Sequence, residues 1–339
     1  MSRSMRPNNM IVAISKKRRR KSRITHPSPL AEDNWNLRLA GRLQILEAPA
    51  LTRLNWLVHA FSTRCDGNSP LRASDGAKPS RSRLGREVDG QALNLSFTGG
   101  DARRRVLLNR KRFLQAIDAD EMKLVPIEQI HSDLLHRISS ATPAISKPTK
   151  GDALLTNVPG ILLAVQTADC VPILLADRKQ RAVAAIHSGW RGTLLRIAAK
   201  ALGRMRMEFG TSPQDVIAAI GPSIGRCCYE VGSDVAAAFH SQFPNAREWF
   251  DGPFETLAAG ENDPNWLPWL TMKPPGHAPP SPRVHLDLCA ANRAILAEAG
   301  VPLAQIFQSG LCTSCRADLF FSYRRERITG RLMAVIGIR

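Results

Sequence analysis

At 339 residues, 44% hydrophobic and 22% charged, the chain can bury a substantial core, which excludes a fibrous or globally disordered protein. Its formal charge of +18 resembles that of a nucleic-acid binder. However, Arg3, Arg6, Lys16 to Lys21 and Arg23 place nine basic residues and no acid among the first thirty, so half of the excess sits in one tail.

Residues 1–35 hold the KKRRRK block and then HPSPLAED, polar and without an apolar period, and are expected to form a basic disordered arm. Residues 36–339 are expected to form one domain. Two stretches dense in Pro, Gly and Ser, near 68–91 and 260–282, read as surface insertions within it. In chain order the apolar pattern predicts a helix at VLLNRKRFLQAI, strands at KLVPIEQI, ILLAVQT, VPILLAD and RAVAAIH, and a helix at TLLRIAAKALGRMRMEF. It then predicts a strand at VIAAIGP, helices at SDVAAAFHSQF and LDLCAANRAILAEAG, and a last strand at LMAVIGI. The expected fold is a single mixed α/β domain.

Seven cysteines, odd in number and scattered, do not form a disulfide framework and point to a reducing, cytoplasmic setting. Met10 to Ser15 is short and precedes the basic cluster, the wrong order for a secretory signal. The richest apolar run, Ile161 to Leu175, is interrupted by Gln166, Asp169 and Pro172, and reads as two buried strands instead of a bilayer span.

Three borderline-soft ligands stand at strand ends: His131 after KLVPIEQI, Cys170 between ILLAVQT and VPILLAD, and His187 closing RAVAAIH. Two imidazoles and a thiolate suit Zn²⁺, and three protein ligands leave the fourth position of a catalytic site open. The same set suits Cu²⁺, so ligand type alone leaves the metal undecided. Asp169 adjoins the thiol, and H187SGWRG sets Gly189, Arg191 and Gly192 at a strand-to-helix turn. A helix starting near Thr193 would favour a bound anion such as phosphate.

Q129IHS, G151DALLT, TADC170VPILLAD, H187SGWRGT, I220GPSIGRCCYEVG and C312TSCRADLFFSYRRERITGR match in order the motifs of the YfiH/LACC1-like family, over roughly Val58 to the C-terminus. The resemblance implies a mixed β-sandwich core flanked by helices, in the α/β/β/α layering called YfiH/CNF1-like. It also implies metal ligands at His131, Cys170 and His187. The family was long labelled multicopper polyphenol oxidase or laccase. It is now associated with phosphorolysis of adenosine, inosine and methylthioadenosine and with adenosine deamination, which makes purine nucleosides and phosphate the implied partners. The opening family blocks appear as S62TRCDGNS and L93NLSFTGGD, which place Arg64, Asn94 and Asp101. Asn94, Asp101 and Gln129 are assigned to substrate, and Arg64 and Arg191 to phosphate. Asp169 is assigned to proton transfer, the work a Glu does in known zinc deaminases. Ser188 stands where the family usually has Ala, a small-for-small change expected to matter little.

Other readings use the same residues differently. Cys170 with His131 or His187 could form a metal-free cysteine hydrolase acting on cell-wall precursors. A copper phenol oxidase needs several coupled ions and many histidines, and the chain has eight. A non-enzymatic binder would work through the basic arm, the one place where nucleic acid is expected to touch the protein. Cys312 and Cys315 form a C-x-x-C with no second C-x-x-C to complete a four-cysteine site. Together with the adjacent Cys227 and Cys228, and with Cys289 in a helix pattern, they are expected to be structural thiols, with Cys312 set apart as part of the family's own motif block.

Overall fold

The computed structural model describes residues 35–70, 91–97, 100–139, 149–252 and 284–339. In chain order the strands are β1 (Asn36–Ala40), β2 (Leu43–Glu47), β3 (Leu57–Ser62), β4 (Lys123–Pro126), β5 (Leu135–Arg137), β6 (Ala153–Thr156), β7 (Ile161–Thr167) and β8 (Val171–Asp177). They continue as β9 (Ala182–Ser188), β10 (Val216–Ile220), β11 (Glu230–Val231), β12 (Phe250–Asp251), β13 (Val284–Leu286), β14 (Ile306–Gln308) and β15 (Leu332–Ile338). One sheet has the order β1-β2-β3-β15-β7-β4 and a second the order β14-β10-β8-β9-β6-β5. Both are mixed: β4 runs parallel to β7, β14 to β10 and β5 to β6, while β15 is antiparallel to both of its neighbours. A short ribbon β11-β13-β12 stands apart from the two.

Every residue of β8, β9 and β15 is buried, which is why these strands read as unbroken apolar runs and not as alternations. Successive side chains nevertheless enter different cores. Leu163 and Val165 of β7 meet Leu174, Ala176, Val183 and Ala185 in the core between the two sheets. Leu162 and Ala164 point the other way, to Phe113 on the helix Arg103–Ala116. Ile173, Leu175, Ala184 and Ile186 face the helices Ile197–Phe209, Ser233–Gln242 and Leu288–Glu298. Two sheets with helices outside each give the α/β/β/α layering.

Two predicted helices have different bounds. The helix expected from Thr193 begins earlier and breaks once: Trp190–Leu194, then Arg196 at φ 56°, then Ile197–Phe209, which ends on Gly210 at φ 71°. A single left-handed residue redirects the axis, and the Arg196 guanidinium holds the new direction with a 2.8 Å bond to Glu298. In LDLCAANRAILAEAG, Leu286 belongs to β13, and Asp287 caps the helix by accepting from the Ala290 N–H at 2.8 Å. The arm lies outside the described residues up to Trp35, which is itself buried and packs on Phe61 with ring centroids 5.1 Å apart. The body of each expected insertion, 71–90 and 253–283, also lies outside the described residues.

Candidate metal centre

The end of β9 supplies His187, the start of β8 follows Cys170, and the segment after β4 carries His131, so three chain-distant residues meet at one edge of the sandwich. One ligand atom from each lies within 4.8 Å of the others. Cys170 Sγ is 3.9 Å from His131 Nε2, and the two imidazoles stand edge to face with centroids 5.0 Å apart. Two strained residues set this geometry: His131 adopts φ 57° and Asp169 φ 99°, conformations that non-glycine residues seldom take. Gly189 serves by its lack of a side chain, because a Cβ there would lie 3.1 Å from Cys170 Sγ and 3.2 Å from His131 Cδ2.

Asp152 organises the centre and is absent from the candidates read in the sequence. Its Oδ1 accepts from His187 Nδ1 at 2.8 Å and from the His131 N–H at 3.1 Å, while Oδ2 accepts from the Ser132 N–H at 2.6 Å and its hydroxyl at 2.8 Å. Engaging Nδ1 leaves Nε2 as the His187 atom that could take a metal, the carboxylate–imidazole pairing usual behind a metal-bound histidine. Burial works against the carboxylate, but the bonds from His187 and Ser132 outweigh it and hold Asp152 down at about 2. The available signal was an acid opening the apolar strand β6 after Gly151, itself at φ 157°. An Asp152→Asn variant is expected to bind Zn²⁺ about 10–100-fold more weakly, measured by competition with a chromophoric chelator.

Burial also disfavours the Cys170 thiolate, yet the His187 charge and the contact with His131 prevail and pull the thiol down to about 6. For His187 the penalty of burial is overcome by Cys170 and Asp152, which raise it to about 9. Without metal the pair is therefore a thiolate–imidazolium pair between about pH 6 and pH 9. Iodoacetamide labelling of Cys170 in metal-stripped protein should be half-maximal near pH 6, falling below it, instead of near the usual thiol value of about 8.5. Zinc should protect the residue across the whole range, whereas a metal-free nucleophile would stay reactive.

The other sequence-predicted residues are placed as follows. Asp169 is buried; Oδ1 accepts from the Thr313 hydroxyl and Oδ2 from the Arg324 N–H, each at 2.7 Å. Arg191 is exposed, with its guanidinium 4.4 Å from the centroid of the Trp190 ring. Arg64 is enclosed: it bonds Glu326 at 2.6 Å, reaches the Phe320 and Ala317 carbonyls, and stacks on Phe321 at 4.7 Å. Gln129 spends both amide atoms on the Gln166 backbone, donating at 2.7 Å and accepting at 2.8 Å, and so fastens the His131 segment to β7. Asp101 accepts from Ser69, Asn94 and Arg105. Asn94 accepts from the Arg331 N–H at 3.0 Å, which ties that network to the site wall.

Two wall residues were missed because they lie far along the chain from the ligands. The Tyr229 ring lies 5.4 Å from the Arg324 guanidinium; burial raises its hydroxyl above the ordinary tyrosine range, with Cys170 adding to the effect. Arg331 is lowered by its own burial, while the charges of Cys170 and Asp169 oppose that shift. Ser188 is more than a small filler: its buried hydroxyl bonds Asn292 at 2.9 Å and Thr193 at 3.0 Å, behind the ligand strand. The Cys227, Cys228, Cys312 and Cys315 sulfurs also come together, within 4.8 Å of one another, although the sequence offers only one C-x-x-C. No helix among the described residues is long and apolar enough to cross a membrane.

Residues 59–339 match the family described as multi-copper polyphenol oxidoreductase laccase. The chain is 36% identical over 297 residues to a purine nucleoside phosphorylase of Deinococcus radiodurans, covering 87% of this chain and 93% of the relative. It is 35% identical over 249 residues to adenosine deaminase RL5 from an unknown prokaryotic organism, covering 70% of this chain and 85% of the relative. The crystal structure of the hypothetical protein YfiH of Bacillus licheniformis superposes with a TM-score of 0.70 at 28% identity, covering 90% of this chain and 99% of that one. YlmD of Geobacillus stearothermophilus gives a TM-score of 0.68 at 30% identity, covering 89% of this chain and 98% of that one. With the family match spanning residues 59–339 and a relative 36% identical over 87% of this chain, the protein belongs to the multi-copper polyphenol oxidoreductase laccase family, the YfiH/LACC1-like group that its ordered motifs resemble.

Proposed function

We propose that the chain is a zinc-dependent purine nucleoside enzyme that cleaves adenosine, inosine and methylthioadenosine with phosphate, and that it also deaminates adenosine. The observation that carries this reading is a His₂Cys set that offers three ligands, has its histidine oriented by Asp152, and leaves one coordination position over. Relatives named purine nucleoside phosphorylase and adenosine deaminase supply the substrate class. Bound there, Zn²⁺ would supply Lewis acidity and lower the pKa of a coordinated water.

The chain's own residues would do the rest. Arg191, with Arg324 and Arg331 on the wall, would orient phosphate or the ribose by charge. Tyr229 would offer the purine an aromatic face. Asp169 accepts one hydrogen bond on each oxygen and a carboxylate has about four acceptor sites, so it retains lone pairs for a proton at the purine. Arg64 would serve by holding Glu326, and with it the segment that carries Arg324. Asn94 and Asp101 would position Arg331, and Gln129 would position His131.

Zinc fits better than a coupled copper centre. The only two groups of three or more close His, Cys, Asp or Glu ligands among the described residues are this one and the four-cysteine cluster, and neither carries the many imidazoles that oxygen reduction requires. Another histidine, His59, is buried and accepts from the Ala48 N–H at 3.0 Å. The test is to incubate zinc-loaded protein with adenosine, with and without phosphate, and to follow adenine, inosine and hypoxanthine by chromatography and mass spectrometry. Phosphate-dependent adenine release supports phosphorolysis, and inosine formed without phosphate supports deamination. No turnover by folded, zinc-loaded protein defeats the proposal, and an Asp169→Asn variant with a full deaminase rate removes Asp169 from proton transfer.

A further inference from the structure

A second cluster of soft ligands lies on the loops after β10 and β14. Cys227 Sγ and Cys228 Sγ are each 3.5 Å from Cys315 Sγ, and these three sulfurs and that of Cys312 lie within 4.8 Å of one another. A zinc–sulfur bond of about 2.3 Å places the four sulfurs of a tetrahedron about 3.8 Å apart, so the cluster already has the span of a tetrathiolate site.

The backbone around it is built to hold this arrangement. Ser223 bridges Cys312 in parallel register, and the Thr313 N–H donates to the Ser223 carbonyl at 2.9 Å. A tight turn follows, in which the Cys228 and Tyr229 N–H groups both donate to the Gly225 carbonyl, at 2.9 and 3.0 Å. The Gly225 N–H points the other way and donates to Cys312 Sγ at 3.2 Å, the kind of amide–sulfur bond that stabilises a thiolate. A Cβ on Gly225 would sit 3.3 Å from Cys227 Sγ and 3.2 Å from Cys312 Cβ, so glycine leaves room for the sulfurs to converge.

All seven cysteines are free, and Cys227 and Cys315 are exposed. Exposed thiols packed against two further thiols are a liability to oxidation unless something binds them. Four protein ligands with no open position are the pattern of structural zinc. We propose that Cys227, Cys228, Cys312 and Cys315 bind a structural Zn²⁺ ion, separate from the His131–Cys170–His187 centre. Its place explains its use: Tyr229 follows Cys228 directly, and Thr313, beside Cys312, holds Asp169 through its hydroxyl. The ion would staple two loops, separated by more than eighty residues of chain, that form one wall of the nucleoside site. The sequence concealed it because the ligands are a C-x-x-C and a C-C pair, not two C-x-x-C motifs.

The test uses the full chain and needs no nucleoside, so it stands or falls independently of the proposed activity. Purified Cys170→Ala protein should retain one zinc per chain by elemental mass spectrometry, with X-ray absorption showing only sulfur neighbours at about 2.3 Å. Adding Cys315→Ser should remove that zinc. In the wild-type protein, peptide mapping should find the four cysteines shielded from alkylation until a chelator is added, which guards against misfolding of the variants. Folded Cys170→Ala protein without metal, free alkylation of Cys227 and Cys315 in zinc-replete wild type, or a disulfide among the four would overturn the site. Nitrogen or oxygen neighbours, or iron in place of zinc, would overturn the tetrathiolate zinc assignment.

Discussion

Cys170→Ala is expected to lower phosphate-dependent base release by about 10³-fold or more and to bind one equivalent of zinc less than wild type. Metal polarisation of a reacting oxygen is worth several kcal/mol, and about 4 kcal/mol corresponds to roughly 10³ in rate. The thiol sits at the start of a fully buried strand whose pairing with β9 does not depend on the sulfur, so secondary structure by circular dichroism should be unchanged. Activity alone does not separate a metal ligand from a nucleophile, since either role fails in the variant. The parallel loss of one zinc does separate them: a variant that loses turnover but keeps its full zinc content supports the cysteine hydrolase.

Glu326→Ala is expected to cost about 3–5 kcal/mol of stability by chemical denaturation, the range for breaking a buried ion pair. The Glu326 and Arg64 side chains are 3% and 8% exposed, and Oε1 of the one carboxylate accepts from Arg64 and from Arg325, both at 2.6 Å, while Oε2 accepts from the Thr329 hydroxyl. Alanine would strand the enclosed Arg64 guanidinium without a carboxylate. Arg64→Met is expected to cost less, because Glu326 keeps Arg325. The pair of variants also decides what Arg64 does: a brace loses stability on substitution, whereas a phosphate-orienting arginine would raise KM for phosphate with stability unchanged.

Much of the fold was legible because the central strands are covered on both faces. Ile161–Thr167, Val171–Asp177, Ala182–Ser188 and Leu332–Ile338 therefore announce themselves as continuous apolar runs. The edge strand β1, exposed or half-buried throughout, and the short strands β11 to β14 carry no such signal. The break at Arg196 was unreadable because its left-handed backbone is held by a tertiary bond to Glu298, and no glycine marks it. The candidate metal ligands stood out because each is a polar residue bordering an apolar run, although β4 itself stops at Pro126, five residues before His131. Asp152 did not, since its importance lies in five hydrogen bonds that its carboxylate accepts from residues twenty or more positions away. Ser188 looked interchangeable with alanine by size, and only the fold brings Asn292 to its hydroxyl.

The most direct test of the central claim is an anomalous-difference map at the zinc edge, from crystals of metal-replete protein grown with a purine nucleoside. The expected result is a peak bound by His131, Cys170 and His187, with purine density next to Tyr229. A map with no peak at those three residues, or with Cys170 joined covalently to a ligand fragment, would contradict a metal-assisted nucleoside enzyme.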